Sequence, residues 1–464
     1  MSALEAPLDR TIAEIVGETA RFTDHRVPDA GIRALFSERS VWQARLDVEA
    51  ALARAEARLG IIPEAAAARI AACARVEALD ADRIAAATRV QAHALVPLVE
   101  ELTRVVGGDA AGWVHWGATT QNIMQTGMAL LIRDAHAIVV ALIRDCLRAL
   151  ADLADRSAEM IMPGRTHGQH AVPITFGLKA ATWIDDLLRA LDRLDRGVEP
   201  CLRVMMGGAV GSFASLGDRG PEVQALVAED LGLGAMPIPS RAVLSPQSGY
   251  VVDLALLAAV CARVAVEVET LMGTEFGEVS EPVPPGSVGS STMPHKRNPK
   301  LAPDMIELSA QIRALAPEAV QALIHPHEAD SGATAALDGA IEEALVKTGD
   351  LLVRLRIVVT GLELFPARMR RNLQLSGSML GSESVMLALG ERIGREEAHR
   401  IVYEHAMRAA TEGLPFQELL VADPRVTGHL GAERVAALLD PSAHIGLSPR
   451  LAREAAERAR AAAG

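Results

Sequence analysis

Five stretches of this chain, residues 123–157, 174–196, 250–275, 304–316 and 334–364, repeat apolar residues every three or four positions with no proline inside. That spacing predicts long α-helices. One run, Leu254-Ala255-Leu256-Leu257-Ala258-Ala259-Val260-Cys261, is apolar around the whole helical circumference, and a helix of that kind has to be covered on all sides. At 1.5 Å per residue most of these segments span roughly 30–45 Å. A lone copy of the chain would leave large apolar faces bare. The pattern therefore predicts an all-α protein whose long central bundle packs against copies of itself.

The remaining sequence fits that class. With 464 residues the chain is too long for one compact core, so several domains are expected. Aromatic residues are only 3 % of it and helix-forming alanine, leucine, arginine and glutamate dominate, which argues against a sheet protein. No solenoid period and no strand-like alternation stand out. Residues 41–60 form an amphipathic helical pattern that stops at Gly60, and further patterns cover 64–76 and 81–106. After Phe365-Pro366 the helical segments become shorter and more polar. Three helical domains are predicted: 1–114, 115–364 with the long helices, and 365–464.

Composition also removes functional classes. A net charge of −13 disfavours nucleic acid as a partner. Cys73, Cys146, Cys201 and Cys261 are far apart and lie in apolar helical patterns, so they read as buried thiols rather than a disulfide framework or metal set. The N-terminal run Met1–Pro7 lacks the basic-then-apolar layout of a signal peptide, and Arg, Asp or Glu interrupts the longest apolar stretches, so no membrane span is expected. A soluble cytoplasmic protein is the expectation. No dinucleotide or P-loop motif is present, and no cofactor is expected.

Three segments carry chemistry, each beside a long helical pattern. The first, His115-Trp116-Gly117-Ala118-Thr119-Thr120-Gln121-Asn122, offers hydroxyls and amides at a helix start, where amide N–H groups favour an anion. The second, Gly164-Arg165-Thr166-His167-Gly168-Gln169-His170, joins two long helices and supplies two histidines suited to proton transfer near neutral pH. A third metal ligand at usual spacing is missing, so no metal site is assigned. The third segment, Gly289-Ser290-Ser291-Thr292-Met293-Pro294-His295-Lys296-Arg297-Asn298-Pro299, follows the proline-rich Glu281-Pro282-Val283-Pro284-Pro285-Gly286-Ser287. Proline and glycine keep that stretch out of a helix and let it act as a closing loop.

The third segment resembles the signature loop of the fumarase/aspartase superfamily, Gly-Ser-Ser-x-Met-Pro-x-Lys-x-Asn-Pro. The three segments match that superfamily's three signature regions in order, about 45 and 120 residues apart. The nearest likeness is to the adenylosuccinate lyase and 3-carboxy-cis,cis-muconate cycloisomerase branch. Ala34–Arg39, Leu46–Glu56, Gly207–Ser212, Thr274–Val279 and Met369–Leu373 look like the cycloisomerase.

The resemblance implies an enzyme that forms an aci-carboxylate carbanion beside a carboxylate and expels the group on the β-carbon. It implies Ser290 as the base and Lys296 and Asn298 as carboxylate stabilisers, with Ser291 and Met293 in the same loop. Thr119, Thr120, Gln121 and Asn122 would hold the substrate, with Arg165, Thr166 and Gln169 around the general acid His167, and His93 as a second histidine. It further implies a homotetramer with a twenty-helix core, four sites each shared by three subunits, and a small dicarboxylate substrate.

The chain departs from the pattern in places. Asn122 stands where Asp is usual and Gln125 where a second Asp is usual. Pro303 replaces an acidic residue that orients the catalytic histidine in adenylosuccinate lyases. Gln247-Ser248-Gly249, Ala329 and Ser384 replace groups that include expected arginines. Missing cations disfavour a phosphate-bearing substrate. Retained His167, where bacterial cycloisomerases often have Trp, favours a leaving group that needs a proton. The preferred expectation is β-elimination from a small substituted succinate, with C–N cleavage releasing fumarate. The alternatives are lactonising 3-carboxy-cis,cis-muconate cycloisomerase activity and an inactive structural homologue.

Overall fold

The computed structural model describes residues 10–17, 21–284 and 286–464. The N-terminal run tested above for a signal peptide and Pro285 of the proline-rich stretch lie outside these residues. The described residues are mainly helical, as the apolar spacing predicts. Helix α1 (Glu38–Arg58) starts at Ser37, whose Oγ accepts the Ser40 N–H at 3.3 Å. It is followed by α2 (Glu64–Cys73), α3 (Ala81–Gln91) and α4 (Val96–Val106).

The pattern over 81–106 predicts one helix, and the structure has two. Ala92 takes a left-handed conformation (φ 50°) that ends α3. His93 Nδ1 then accepts the N–H groups of Leu95 and Val96, both at 3.1 Å, and so begins α4.

The long helices are α5 (Thr120–Arg156), α6 (Phe176–Val198), α8 (Ser245–Met272), α9 (Leu301–Gln321) and α10 (Ser331–Gly361), with the shorter α7 (Gly220–Leu231) between α6 and α8. Helix α9 is longer than the proline-bounded 304–316 reading. Pro303 falls in its first turn, where the missing N–H would have no partner, and the helix continues past Pro317. Helix α5 is long and apolar enough to cross a bilayer, so interrupting charges alone do not exclude a span. Burial gives the better account: 67 % of its most apolar 18-residue window is inside the protein.

The second departure is a β-hairpin where the sequence shows only a loop. Strands β1 (Ile161–Thr166) and β2 (Gln169–Thr175) pair antiparallel, with Thr166 opposite Gln169 and a register break between Pro163 and Arg165. Prolines 163 and 173 mask the strand signal because they cannot donate to a ladder.

The chain divides into two compact units. One comprises Met1–Ile143, Arg189–Cys261 and Ile306–Val353. Its core gathers Leu46, Val48, Ala51 and Leu52 of α1 with Ile70, Leu98, Leu102, Ile123 and Val223. Within this unit His136 links three long helices, with Nδ1 2.9 Å from the Tyr250 hydroxyl and Nε2 3.3 Å from Asp195.

The other unit comprises Arg144–Leu188, Ala262–Met305 and Arg354–Gly464. Here Lys179 Nζ reaches Glu267 at 2.7 Å, Arg356 reaches Asp145 at 3.1 Å, and the fully buried Arg354 lies 3.3 Å from Asp304. Short helices after Pro366 surround Val385, Leu389, Ile401, Phe416, Leu420 and Val435. All four cysteines are buried thiols, as predicted. Leu256 and Val266 of α8 and Val320 of α9 remain 44 %, 49 % and 47 % exposed.

Candidate active site

The first segment forms the turn into α5. Asn122 is fully buried. Its Oδ1 accepts the Thr119 N–H at 3.0 Å and its Nδ2 donates to Met205 Sδ at 3.2 Å. In this conformation Asn122, expected on the substrate, serves the fold: it is the third residue of α5, reaches back to the residue before the helix, and its polar atoms are used inside the protein. This also explains why Asn can stand where Asp is usual, since the cap needs only an acceptor oxygen. Gln121 is buried too, and its Nε2 has no hydrogen-bond partner among the described residues. Thr119 and Thr120 are half-buried.

Thr120 lines a cavity of about 260 Å³ together with His115, Val96, Val99, Glu100 and Thr103. Among the described residues no Lys or Arg side chain contributes to these walls. His115 Nδ1 lies 2.6 Å from Glu49 Oε1 of α1. Burial pulls the imidazole down, but the Glu49 carboxylate outweighs it, and the result is above the ordinary histidine value. Glu56, two turns beyond Glu49 on α1, is fully buried, and neither of its oxygens meets a hydrogen-bond partner among the described residues. A Cβ on Gly117 would lie 3.6 Å from Glu56 Oε1, so this carboxyl sits beneath the turn that precedes Thr119 and Thr120. Residue roles assigned from the motifs missed both acids; carboxylates seven apart on an otherwise apolar helix face were the available signal.

The cap at α4 fixes His93. Its Nδ1 accepts two backbone N–H groups, so in the neutral ring the proton resides on Nε2.

The hairpin carries the second segment. His167 (φ 53°) and Gly168 (φ 75°) are the two central residues of its turn, both with positive φ as a type I′ turn requires. His167, Thr166 and Gln169 are exposed at the tip. Among the described residues no carboxylate comes within ion-pair distance of His167, in keeping with Pro303 replacing the acidic residue. Arg165, expected around the general acid, is turned the other way in this conformation. Its guanidinium grips the buried Glu278 through two hydrogen bonds of 2.9 and 2.6 Å and lies 4.9 Å over the Phe276 ring. Asn372 Nδ2 holds the same carboxylate at 2.7 Å. Arg165 therefore anchors the hairpin from below. His170, beyond the turn, has Nδ1 2.8 Å from the Ser376 hydroxyl.

The third segment closes on itself. A Cβ on Gly289 would meet the Lys296 carbonyl oxygen at 2.3 Å, so only glycine permits this approach of the loop's two sides. Asn298 Nδ2 donates to the Gly289 carbonyl at 3.0 Å and Lys300 Nζ to the Val288 carbonyl at 2.9 Å. Ser290 Oγ accepts the N–H groups of Met293 and Thr292, at 3.2 and 3.4 Å. Ser291, Met293, Lys296 and Asn298 are exposed. Asn298, expected on the substrate, thus braces the loop in this conformation. Among the described residues no group of three or more His, Cys, Asp and Glu side chains is arranged to hold a metal ion.

Comparison with known proteins agrees with these signatures. A lyase family model matches residues 24–314, and a model for the adenylosuccinate lyase C-terminus matches residues 379–455. The chain is 36 % identical to a 3-carboxy-cis,cis-muconate cycloisomerase from Bradyrhizobium diazoefficiens over 90 % of its own length and 94 % of that protein. It is 35 % identical to an N-acetyl-S-(2-succino)cysteine lyase from Dickeya dadantii, over 90 % and 92 % of the two chains. Among solved structures, a fumarate lyase from Mesorhizobium sp. BNC1 superposes with a TM-score of 0.86 at 36 % identity, covering 92 % of this chain and 98 % of that one.

Proposed function

We propose a carbon–heteroatom β-elimination for this chain, which belongs to the fumarase/aspartase lyase superfamily. A small substituted succinate would lose the group on its β-carbon through an aci-carboxylate carbanion, leaving fumarate. The observation that carries this reading is the setting of Ser290, whose Oγ receives two loop N–H groups. Donors aimed at an oxygen favour its anionic form, which a serine base requires. Lys296, exposed in the same loop, would add a cation for the substrate carboxylate. Ser290 takes the carbon-bound proton, the carbon–heteroatom pair leaves with its electrons, and His167 at the hairpin tip protonates the leaving group. No cofactor enters this scheme.

Nitrogen is our preferred leaving atom, because a departing amine or amide needs the proton that His167 supplies. Among the described residues the cavity beside Thr120 and His115 has no Lys or Arg wall, which supports a leaving group without phosphate and disfavours adenylosuccinate. A sulfur leaving group is the second reading. It is favoured by the likeness to the succinocysteine lyase and by the aliphatic Val96 and Val99 beside Thr120. The likeness to the cycloisomerase keeps lactonisation as a third.

We further infer a cytoplasmic homotetramer whose sites combine segments from different subunits. The exposed Leu256, Val266 and Val320 on the long helices support self-association. Sedimentation of an active monomer would refute that assembly.

The test is a screen of N-, S-, O- and nitro-substituted succinates followed by fumarate absorbance. Turnover of one class is expected, and Ser290→Ala should reduce it at least about 100-fold while helicity and oligomeric state persist. Silence on every succinate combined with turnover of carboxymuconate would reverse the ranking.

A further inference from the structure

The signature loop leaves the fold just after Glu281 and rejoins it at the start of α9. Its upstream end is fixed by Val279 and Ser280, which pair antiparallel with Leu364 and Glu363. Glu281 itself is only 3 % exposed. Its carboxylate does not point into the loop. It reaches across the loop's base to the first amides of α9: Lys300 N–H and Leu301 N–H on Oε1, and Leu301 N–H and Ala302 N–H on Oε2, the latter two at 3.1 Å. These are donors that a helix start leaves without intrahelical partners. A carboxylate there also gains from the helix dipole. One side chain therefore joins the two ends of an eighteen-residue excursion, residues 282–299.

We propose that Glu281 is the clasp of this loop, a positioning residue that sets where Ser290 stands by tying residue 281 to residues 300–302. Burying a carboxylate is costly unless its oxygens are filled by hydrogen bonds, and here both are. The clasp lies below the brace formed by Asn298 on the Gly289 carbonyl and Lys300 on the Val288 carbonyl. Loop closure is thereby confined to the part beyond Val288. With the base held, the tip can move while Ser290 keeps its register against the Met293 and Thr292 amides. Without the clasp, the loop's two ends separate and the error reaches Ser290 directly.

The consequence for catalysis rests on the lyase reading, but the clasp can be measured without any substrate. Backbone hydrogen exchange over residues 286–302 and the rate of trypsin cleavage after the exposed Lys296 and Arg297 are compared in the full-length protein, Glu281→Gln and Glu281→Ala. Gln preserves size and one acceptor oxygen. The alanine variant should exchange at Lys300–Ala302 and be cut in the loop at least about tenfold faster, with Gln between it and the parent, while exchange in the helical core is unchanged. With a turned-over succinate, kcat should fall in the same order and KM should change less. Parental exchange and cleavage in the alanine variant would overturn the clasp. So would equal loss of kcat in both variants with the loop amides still protected, because that pattern belongs to a group acting on substrate. If alanine prevents folding, the glutamine variant alone decides by the same exchange criterion. A lyase reading that fails the succinate screen leaves the exchange result standing.

Discussion

Replacing Glu56 by Gln isolates one buried carboxyl and gives a stability change with a defined sign. Burial first, and the neighbouring Glu49 second, push the Glu56 carboxyl up from 4.5 to about 8. The folded protein thus keeps a proton that the unfolded chain releases near pH 4.5. Its contribution to stability is complete below that pH and is lost progressively as pH rises through about 8. At about 1.4 kcal/mol per unit, the loss between pH 5 and pH 8 is on the order of 3 kcal/mol. Gln has nearly the same shape and does not titrate. Urea unfolding followed by circular dichroism at pH 5, 6.5 and 8, at matched protein concentration, compares the two proteins. The parent should lose on the order of 3 kcal/mol more than Glu56→Gln across that range, the two being within about 1 kcal/mol of each other at pH 5. Parallel pH dependences, differing by less than about 0.5 kcal/mol, would refute the assignment of a proton to Glu56 at neutral pH.

Two further outcomes separate the loop from the helix cap. Gly289→Ala places a Cβ 2.3 Å from the Lys296 carbonyl oxygen, so the loop must open by several tenths of an ångström or more; turnover should fall about 100-fold with the thermal midpoint nearly unchanged. Asn122→Asp keeps the oxygen that accepts the Thr119 N–H, so steady-state kinetics should show kcat/KM within about threefold of the parent, whereas Asn122→Ala should cost about 1 kcal/mol in denaturant titrations.

The fold class was legible because the apolar spacing in the five long segments leaves few alternatives, and the elements that broke the reading share a cause. Pro163, Pro173 and Gly168 made 161–175 look like a plain loop, yet Val172, Ile174 and Thr175 are β-branched and His167-Gly168 supplies the positive φ that a tight hairpin turn demands. Pro303 and Pro317 shortened the predicted α9, although proline in a first turn removes no hydrogen bond. The split at Ala92 carried no glycine, and its one cue was Pro97 near the start of α4. Glu281 was invisible as a clasp because its partners lie 19 to 21 residues away and are backbone amides, which have no sequence identity.

The same distinction decides which motif departures bear on substrate. A side chain can match a motif by serving the fold, and Asn122 and Arg165 do so, one capping α5 and the other locked to Glu278. The change from Asp to Asn at 122 therefore alters a buried cap and says little about the leaving group. Ser384 is buried as well, with its Oγ unpartnered among the described residues, so it offers no surface to a phosphate in this conformation. Pro303 is different: it removes an acid where the resemblance expects one, and no carboxylate among the described residues substitutes for it at His167. Among the described residues the open space beside Thr120 is lined by Val96, Val99, Glu100, Thr103 and His115, with no Lys or Arg among its walls.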